Sequence, residues 1–242
     1  RLVVVMSGER LVPDVSDSDP QKTGVTPLTI SAHSPAAEKL AKVANEFLGR
    51  AKKLLAKHHP ANMVLLRGFS KHTDLPTLSE IFKLKPAAIA SYPMYRGLAK
   101  LVGMDVLKTG KTIEEEIQTL KQNYANYDFF FIHIKGTDTG GEDGNFEAKV
   151  QVIENVDRLV PEVTALNPDV IVVAGDHSTP ATFKGHTWHP VPFLLYSRWC
   201  RPGDITKFGE SACATTSLSR LPATSLMVLA MANAQKLNKY GA

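Results

Sequence analysis

Short apolar segments alternate with amphipathic segments from residue 86 to the end of the chain. The apolar segments have the length and composition of buried strands, and the amphipathic ones repeat apolar residues at helical spacing. The predicted strands are residues 86–92, 104–108, 128–135, 169–175 and 191–197. The predicted helices are residues 93–103, 112–127, 145–166 and 223–240. This alternation predicts an α/β fold with a mainly parallel sheet that helices cover on both faces.

The first part of the chain has a different pattern. Residues 2–5 and 63–66 are predicted as strands, and residues 7–24 as an exposed polar loop. A long helix is predicted from Ser34 to about residue 59, because serine suits the cap and the following proline suits the first turn. A short helix is predicted within residues 77–84. The pattern therefore predicts a smaller α/β unit in residues 1–80 and a larger one in residues 81–242.

Composition narrows the class of protein. The 242 residues are 43% hydrophobic and 21% charged, which is the balance of a globular protein. No run of 18 apolar residues predicts a membrane span, and the two cysteines make no disulfide framework. The net charge of +4 is mild and its lysines are dispersed, so nucleic acid is not an expected partner. We expect a reducing, cytoplasmic location, and we expect further sequence upstream because the chain opens with Arg1 on a predicted strand.

Acidic and histidine side chains gather where the later predicted strands meet their loops. Ligands of parallel sheets bind at the carboxyl ends of strands, so these side chains are expected at one edge of the sheet. The residues concerned are Asp138, Glu142, Asp143, Asp176, His177, His186 and His189.

This mixed set suits a divalent metal ion. Imidazole favours borderline metals such as Zn²⁺, while carboxylate favours harder ones such as Mn²⁺. Glycines on both sides of Asp138 let the backbone fold tightly there. The alternative is that Asp138 caps a helix and that His186 is a solvated loop residue, since no short metal-binding motif fixes the spacing.

Another apparent motif is rejected. The segment TGKT at residues 109–112 has the tail of a phosphate-binding loop. That loop requires a glycine five residues before Gly110, where this chain has Asp105.

Several stretches carry a family resemblance. They are GTDTGGEDGNFEAKVQVIENVDR at 136–158, VIVVAGDHSTP at 170–180, GHTWHPVP at 185–192, VSDSDP at 15–20, VLLRGFS at 64–70, AIASYPMYRGLAKLVGMDV at 88–106 and the final KYGA. Together they resemble the alkaline phosphatase superfamily, and within it the archaeal-type, cofactor-independent (2,3-bisphosphoglycerate-independent) phosphoglycerate mutases. The resemblance covers nearly the whole chain.

The resemblance implies a glycolytic isomerase that interconverts 3-phosphoglycerate and 2-phosphoglycerate through a phosphoserine. Two divalent ions, Mn²⁺, Zn²⁺ or Mg²⁺, would flank the nucleophilic serine and lower its pKa. Asp138 and His186, with Glu142, would hold one ion, while Asp176 and His177 would hold the other. Arg67 and Arg96 would bind the phosphate or carboxylate of the substrate, because guanidinium binds either group through two hydrogen bonds.

The implied fold is an alkaline-phosphatase-like three-layer sandwich with a smaller α/β cap domain. Residues 1–80 would be the inserted cap, and residues 81–242 the C-terminal part of the metal-binding core. The N-terminal part of that core, which carries the nucleophilic serine in the family, has no counterpart in this chain.

Two departures from the family pattern keep alternatives open. Glu142 replaces a histidine of the family, which adds negative charge and favours harder ions, and Ser217 and Ser219 stand where the family has glycine. The alternatives are a catalytically degenerate relative that serves as a structural subunit of a larger assembly, and, less favoured, another phosphohydrolase of the same superfamily.

Overall fold

The computed structural model describes residues 3–216, 218 and 220–237, and it divides the chain at Asp74. Arg1–Asp74 forms one compact unit and Leu75–Ala242 forms another. The role of the first unit as a cap stays a prediction. Ser217, Ser219 and the end of the predicted last helix lie outside the described residues.

One long helix organises the first unit. A 3-10 turn, Pro35–Ala37, leads into helix α1, Glu38–Leu55. The helix buries Leu40, Ala41, Ala44 and Leu48 on one face, as its apolar spacing predicts. These side chains form a core with Val15, Ile30 and Leu66.

The chain packed on α1 is irregular, and the predicted strands there were wrong. Neither residues 3–5 nor residues 63–66 form a strand. Side chains complete the backbone hydrogen bonds instead: buried Ser18 donates to the Leu66 carbonyl at 3.2 Å and accepts the Leu66 N–H at 2.7 Å. Asn45 likewise accepts the Ile30 N–H at 3.1 Å and donates to its carbonyl at 2.8 Å. Each side chain takes the place that a neighbouring strand would have had.

The second unit follows the predicted alternation of strands and helices. Its strands are β1, Pro86–Ala90; β2, Asp105–Val106; β3, Phe129–His133; β4, Val170–Ala174; and β5, Phe193–Ser197. Its helices are α2, Leu78–Phe82; α3, Pro93–Leu101; α4, Ile113–Asn123; α5, Gly136–Glu142; α6, Phe146–Thr164; α7, Glu210–Cys213; and α8, Ser225–Asn233.

Three of these strands form the predicted parallel sheet. The strand order is β2–β1–β3, with Ala87 opposite both Asp105 and Phe130. All five residues of β1 are buried, because the central strand has a neighbour on each side and packs against α3 and α4. The α/β class with a parallel sheet is therefore confirmed.

The other two strands depart from the prediction. β4 and β5 pair antiparallel as a separate two-stranded sheet, with Val172 opposite Leu195. The described helices leave both faces of this sheet partly open, since the adjacent Val172 and Val173 point to opposite faces and are 37% and 38% exposed. The antiparallel pairing places the start of β5 beside the end of β4. The loop that joins the two strands therefore begins and ends at the same edge of this sheet.

The glycine-rich segment after β3 forms a helix, which the sequence pattern did not predict. Helix α5 contains Gly140 and Gly141, both buried. A Cβ atom at Gly141 would lie 2.1 Å from the Thr179 carbonyl oxygen, and one at Gly140 would lie 3.0 Å from the Lys149 nitrogen. The glycines are needed because α5 packs closely against α6 and against the chain that follows β4.

The TGKT segment has a structural role, in agreement with its rejection as a phosphate loop. Thr112 caps α4 by accepting the Glu115 N–H at 3.2 Å, and the Glu115 carboxylate accepts the N–H groups of Lys111 and Thr112 at 2.7 and 2.9 Å. The Glu115 carboxylate thus lies at the N-terminus of α4, the position where a phosphate-binding loop would hold its phosphate. The next residue of α4, Glu116, is only 2% exposed.

Among the described helices, none combines the length and the apolar character that crossing a membrane requires.

Candidate metal centre

Two stretches of chain supply the predicted metal ligands. The first begins at the end of β3 and continues into α5, which carries Asp138 and Glu142. The second begins at the end of β4 with Asp176 and His177. An isolated bridge between Ser178 and Thr187 closes the following loop and brings His186 back beside His177. The two imidazole rings lie against each other, tilted by 32°, with their centroids 3.9 Å apart.

Asp138 lies at the middle of the cluster, and its two oxygens face different partners. Oδ1 accepts a hydrogen bond from the Thr179 hydroxyl at 2.6 Å and lies 3.5 Å from His186 Nε2. The same oxygen lies 3.9 Å from His177 Nδ1. Oδ2 contacts the ammonium of Lys135. One carboxylate oxygen is thus turned toward the imidazoles while a cation occupies the other.

Asp138, His177 and His186 form a candidate ligand set. One ligand atom from each lies within 4.8 Å of the others. A single divalent ion contacts ligand nitrogens and oxygens at about 2.0–2.2 Å, so atoms at this spacing can reach one ion after small adjustments. The donors, two imidazoles and a carboxylate, suit Zn²⁺ or Mn²⁺.

Glu142 lies at the edge of this set. Its Oε1 is 3.7 Å from His186 Nε2, one helical turn after Asp138. The side chain of Glu142 is 47% exposed, against 15% for Asp138. Glu142 can therefore join the set from the solvent side.

His177 connects this set to Asp176. Its Nε2 lies 3.5 Å from Asp176 Oδ2, while its Nδ1 lies 3.0 Å from the Thr179 hydroxyl. The His177 ring thus stands between the carboxylates of Asp138 and Asp176. The five ligands proposed from the resemblance form one continuous chain of contacts.

Tyr95 is a member of the site that sequence reasoning missed. Its hydroxyl donates a hydrogen bond to Asp176 Oδ2, and its ring stacks on His133 with centroids 3.6 Å apart. Burial, followed by this bond to a carboxylate, raises the pKa of Tyr95 to about 12. Tyr95 therefore stays protonated and keeps donating at physiological pH.

Opposing effects act on the pKa of the Asp176 carboxyl. Burial by itself would raise its pKa, but the hydrogen bond from Tyr95 and the charge of His177 outweigh burial and lower it. The backbone N–H of His177 also donates to Oδ1 at 3.0 Å. Asp176 is thus kept ionised, which is the form that binds a metal ion.

A small cavity opens beside these residues. Its volume is about 70 Å³, and Tyr95, Lys135, Lys149, Asp176 and His177 are among its lining residues. His133, the last residue of β3, also lines it. Burial lowers the pKa of His133, and its Nδ1 is buried without a hydrogen-bond partner among the described residues.

Arg67, Arg96 and His189 are among the remaining predicted residues. Arg67 belongs to the first unit, where its Nη1 lies 3.8 Å from Asp19 Oδ2. Arg96 lies on α3, next to Tyr95. His189 is exposed, with its Nδ1 2.9 Å from the Thr187 hydroxyl and its ring stacked on Trp188. His189 thus stands outside the ligand set.

The fold and the site define a class of metal-dependent enzymes. Residues 15–233 match the Metalloenzyme superfamily, and the chain belongs to that family. Membership implies the use of a divalent metal ion, for which the Asp138, His177 and His186 set is the candidate site.

Curated relatives make the comparison more specific. The chain is 49% identical over 242 residues to a protein of Thermotoga neapolitana, and 48% identical over 247 residues to one of Aquifex aeolicus. Both are named probable 2,3-bisphosphoglycerate-independent phosphoglycerate mutase. The matches cover 100% of this chain but only 60% and 61% of the relatives, so the chain spans about three fifths of their length.

Solved structures agree with these relatives. A protein from Pyrococcus horikoshii superposes with a TM-score of 0.79 at 27% identity, over 86% of this chain and 60% of that one. The cofactor-independent phosphoglycerate mutase from Thermoplasma acidophilum superposes with a TM-score of 0.63 at 26% identity, over 94% and 61%. The resemblance predicted from the sequence is confirmed.

Proposed function

We propose that this chain is part of a metal-dependent phosphoglycerate mutase that interconverts 3-phosphoglycerate and 2-phosphoglycerate. The observation that carries the proposal is the convergence of Asp138, His177 and His186 within 4.8 Å, in a chain whose relatives have that name. The reaction moves a phosphoryl group between neighbouring hydroxyls by way of a serine. No residue of this chain is assigned as that serine.

Each residue of the cluster has a proposed role. Asp138, Glu142 and His186 would hold one divalent ion, and Asp176 with His177 a second. His177 lies near both Asp138 and Asp176, so it can also contact the first ion. Bound there, the ions would neutralise phosphoryl oxygens and make the serine hydroxyl more acidic. Thr179 donates a hydrogen bond to Asp138 Oδ1, and Tyr95 donates one to Asp176 Oδ2. Such outer partners fix the orientation of metal ligands.

Several lysine and arginine side chains suit an anionic substrate. Lys149 lines the cavity, and its ammonium donates to the Thr179 carbonyl at 2.8 Å. Arg96 and Arg67 are proposed to bind the phosphate or carboxylate of phosphoglycerate, for which a guanidinium offers two parallel hydrogen bonds. We further propose a cytoplasmic location, which the unpaired Cys200 and Cys213 support.

The test uses the protein in the full length that its gene encodes. Purified protein is freed of metal, supplied with Mn²⁺ and 3-phosphoglycerate, and the formation of 2-phosphoglycerate is followed by phosphorus NMR. We expect turnover with Mn²⁺ and none after chelation. His186→Ala should lower kcat by at least about 10²-fold, as loss of a charge-stabilising group does. The matched control His189→Ala, in the same loop but outside the cluster, should retain wild-type turnover.

Other outcomes favour the alternatives. Release of inorganic phosphate without isomerisation would indicate a phosphohydrolase of the same superfamily. Absence of both bound metal and turnover would indicate a non-catalytic relative that serves as a structural subunit.

A further inference from the structure

Lys135 is a cation already present among the predicted metal ligands. It precedes the first turn of α5, so that Lys135, Asp138 and Glu142 lie on one face of that helix at spacings of three and four residues. Its ammonium contacts Asp138 Oδ2 and lies 3.8 Å from Glu142 Oε2. It also lies 5.3 Å from the centre of the Tyr92 ring, which favours a cation over its face.

These contacts balance the charges of the cluster. Asp138 and Glu142 supply two negative charges on adjacent turns, and like charges at this spacing repel each other. The side chains of Lys135 and Asp138 are only 26% and 15% exposed, so solvent screens their attraction weakly. Lys135 therefore lowers the cost of keeping the two carboxylates together.

In this position the ammonium of Lys135 would repel a divalent ion bound to the same carboxylates. Asp138 turns Oδ1 toward His177 and His186, which is the side where a metal would bind, and Oδ2 toward Lys135. One carboxylate then serves two cations that repel each other. Glu142 is in the same situation, with Oε1 toward His186 and Oε2 toward Lys135.

We propose that Lys135 is a built-in counter-ion of the Asp138 and Glu142 carboxylates, which holds them together without metal and competes with a divalent ion for them. This inference rests on the metal site of the proposed function. It makes Lys135 a positioning residue that sets the metal affinity of the site. A neighbouring unit charge changes the proton affinity of a carboxylate by a factor of ten or more. We therefore expect Lys135 to lower the metal affinity of the site by about tenfold.

The decisive experiment measures Mn²⁺ affinity by titration calorimetry, together with Tm before and after Mn²⁺ addition. The full-length protein is compared with Lys135→Met, Lys135→Arg and Lys121→Met. Lys121 forms an exposed ion pair with Glu162 at 3.0 Å, so its substitution removes the same charge away from the site. Lys135→Met should bind Mn²⁺ about tenfold more tightly. Without metal it should have a lower Tm than wild type, and it should gain more from Mn²⁺.

The controls should behave differently. Lys135→Arg keeps the charge and should stay close to the wild-type affinity, and so should Lys121→Met. Should Lys135→Met not be recovered in folded form, Lys135→Gln removes the charge with a polar side chain and is judged by the same result. Mn²⁺ affinity that is unchanged or weaker in the neutral variant would overturn the proposal. Wild-type protein that binds no Mn²⁺ would overturn both this inference and the proposed function. If the wild type binds Mn²⁺ but Lys135→Met does not bind it more tightly, only this inference is overturned.

Discussion

The hydroxyl of Tyr95 donates a hydrogen bond to Oδ2 of Asp176, 81 positions further along the chain. The bond joins the first turn of α3, beyond the parallel sheet, to the end of β4 in the antiparallel sheet. The position of a proposed metal ligand thus depends on a residue of helix α3, which packs on the other sheet. Tyr95 is held in turn by the His133 ring stacked against it.

Tyr95→Phe should therefore weaken metal binding without removing a ligand. Loss of a hydrogen-bonding partner behind a ligand typically lowers metal affinity by about 10–100-fold, and we expect a loss within that range. Because the bond lowers the pKa of Asp176, its loss raises that pKa. The decline of affinity on acidification should then begin at a higher pH than in wild type. Titration calorimetry with Mn²⁺ at several pH values measures both effects.

Tyr124→Phe is the matched control, since Tyr124 stacks on Phe130 rather than on a residue of the site. It removes one hydroxyl and should leave Mn²⁺ affinity unchanged. Equal affinities in the Tyr95 and Tyr124 variants would refute a positioning role for Tyr95.

Glu142→His should change the metal preference of the site. Glutamate adds a hard oxygen donor and a negative charge near His186, and imidazole in its place is a softer, neutral donor. We expect the variant to favour Zn²⁺ over Mn²⁺ more strongly than wild type does. Competition titrations with both ions test this. Glu147→His, at an exposed position of α6, is the control for the effect of a histidine outside the site. An unchanged ratio of affinities would show that Glu142 does not contact the ion.

Gly141→Ala should destabilise the second unit. Its Cβ would lie 2.1 Å from the Thr179 carbonyl oxygen, and backbone must move to admit it. Overpacking of this kind costs about 1–3 kcal/mol. Gly97→Ala is the control, because no other atom lies within 4 Å of its added Cβ and alanine favours the helix by up to about 1 kcal/mol. Urea unfolding should give opposite signs for the two variants, and a wild-type free energy for Gly141→Ala would contradict the packing argument.

Glu116 should make the free energy of unfolding depend on pH. Burial, opposed in part by hydrogen bonding to Ser91, raises its pKa from the ordinary value of 4.5 to about 7. The folded state then binds more protons than the unfolded state between these values, so this contribution to stability falls as pH rises from about 4.5 to 7. The loss is at most about 3 kcal/mol for a shift of this size.

Glu116→Gln lacks this titration. Its free energy of unfolding should improve relative to wild type as pH rises from 5 to 8, as measured with urea at each pH. Glu154→Gln removes the same charge from the exposed surface of α6 and serves as the control. A constant difference between Glu116→Gln and wild type would contradict the assigned pKa.

The strand and helix pattern of the second unit followed from apolar periodicity, and it predicted β1, β3, α4 and α6 closely. The pairing of β5 did not follow, because an apolar strand has the same composition in a parallel and an antiparallel neighbourhood. Helix α5 was missed because glycine disfavours helices, and the reason for its glycines lies in the distant Thr179 carbonyl.

The candidate ligands were visible in the sequence because charged side chains directly after apolar strands are conspicuous. Their partners were not visible. Tyr95 occupies an ordinary helical position, and its bond to Asp176 depends on how two sheets pack. Lys135 could have been found from its spacing to Asp138 and Glu142 had α5 been predicted as a helix.

The division of the second unit into two separately hydrogen-bonded sheets gives the metal a mechanical consequence. Asp138 is anchored to the first sheet through β3, and His177 and His186 to the second through the ends of β4 and β5. An ion shared by these three side chains ties one sheet to the other as a cross-link would. Once Mn²⁺ is added, the amide hydrogens of β3 and of β4 should both exchange with solvent more slowly, because the two sheets then unfold together.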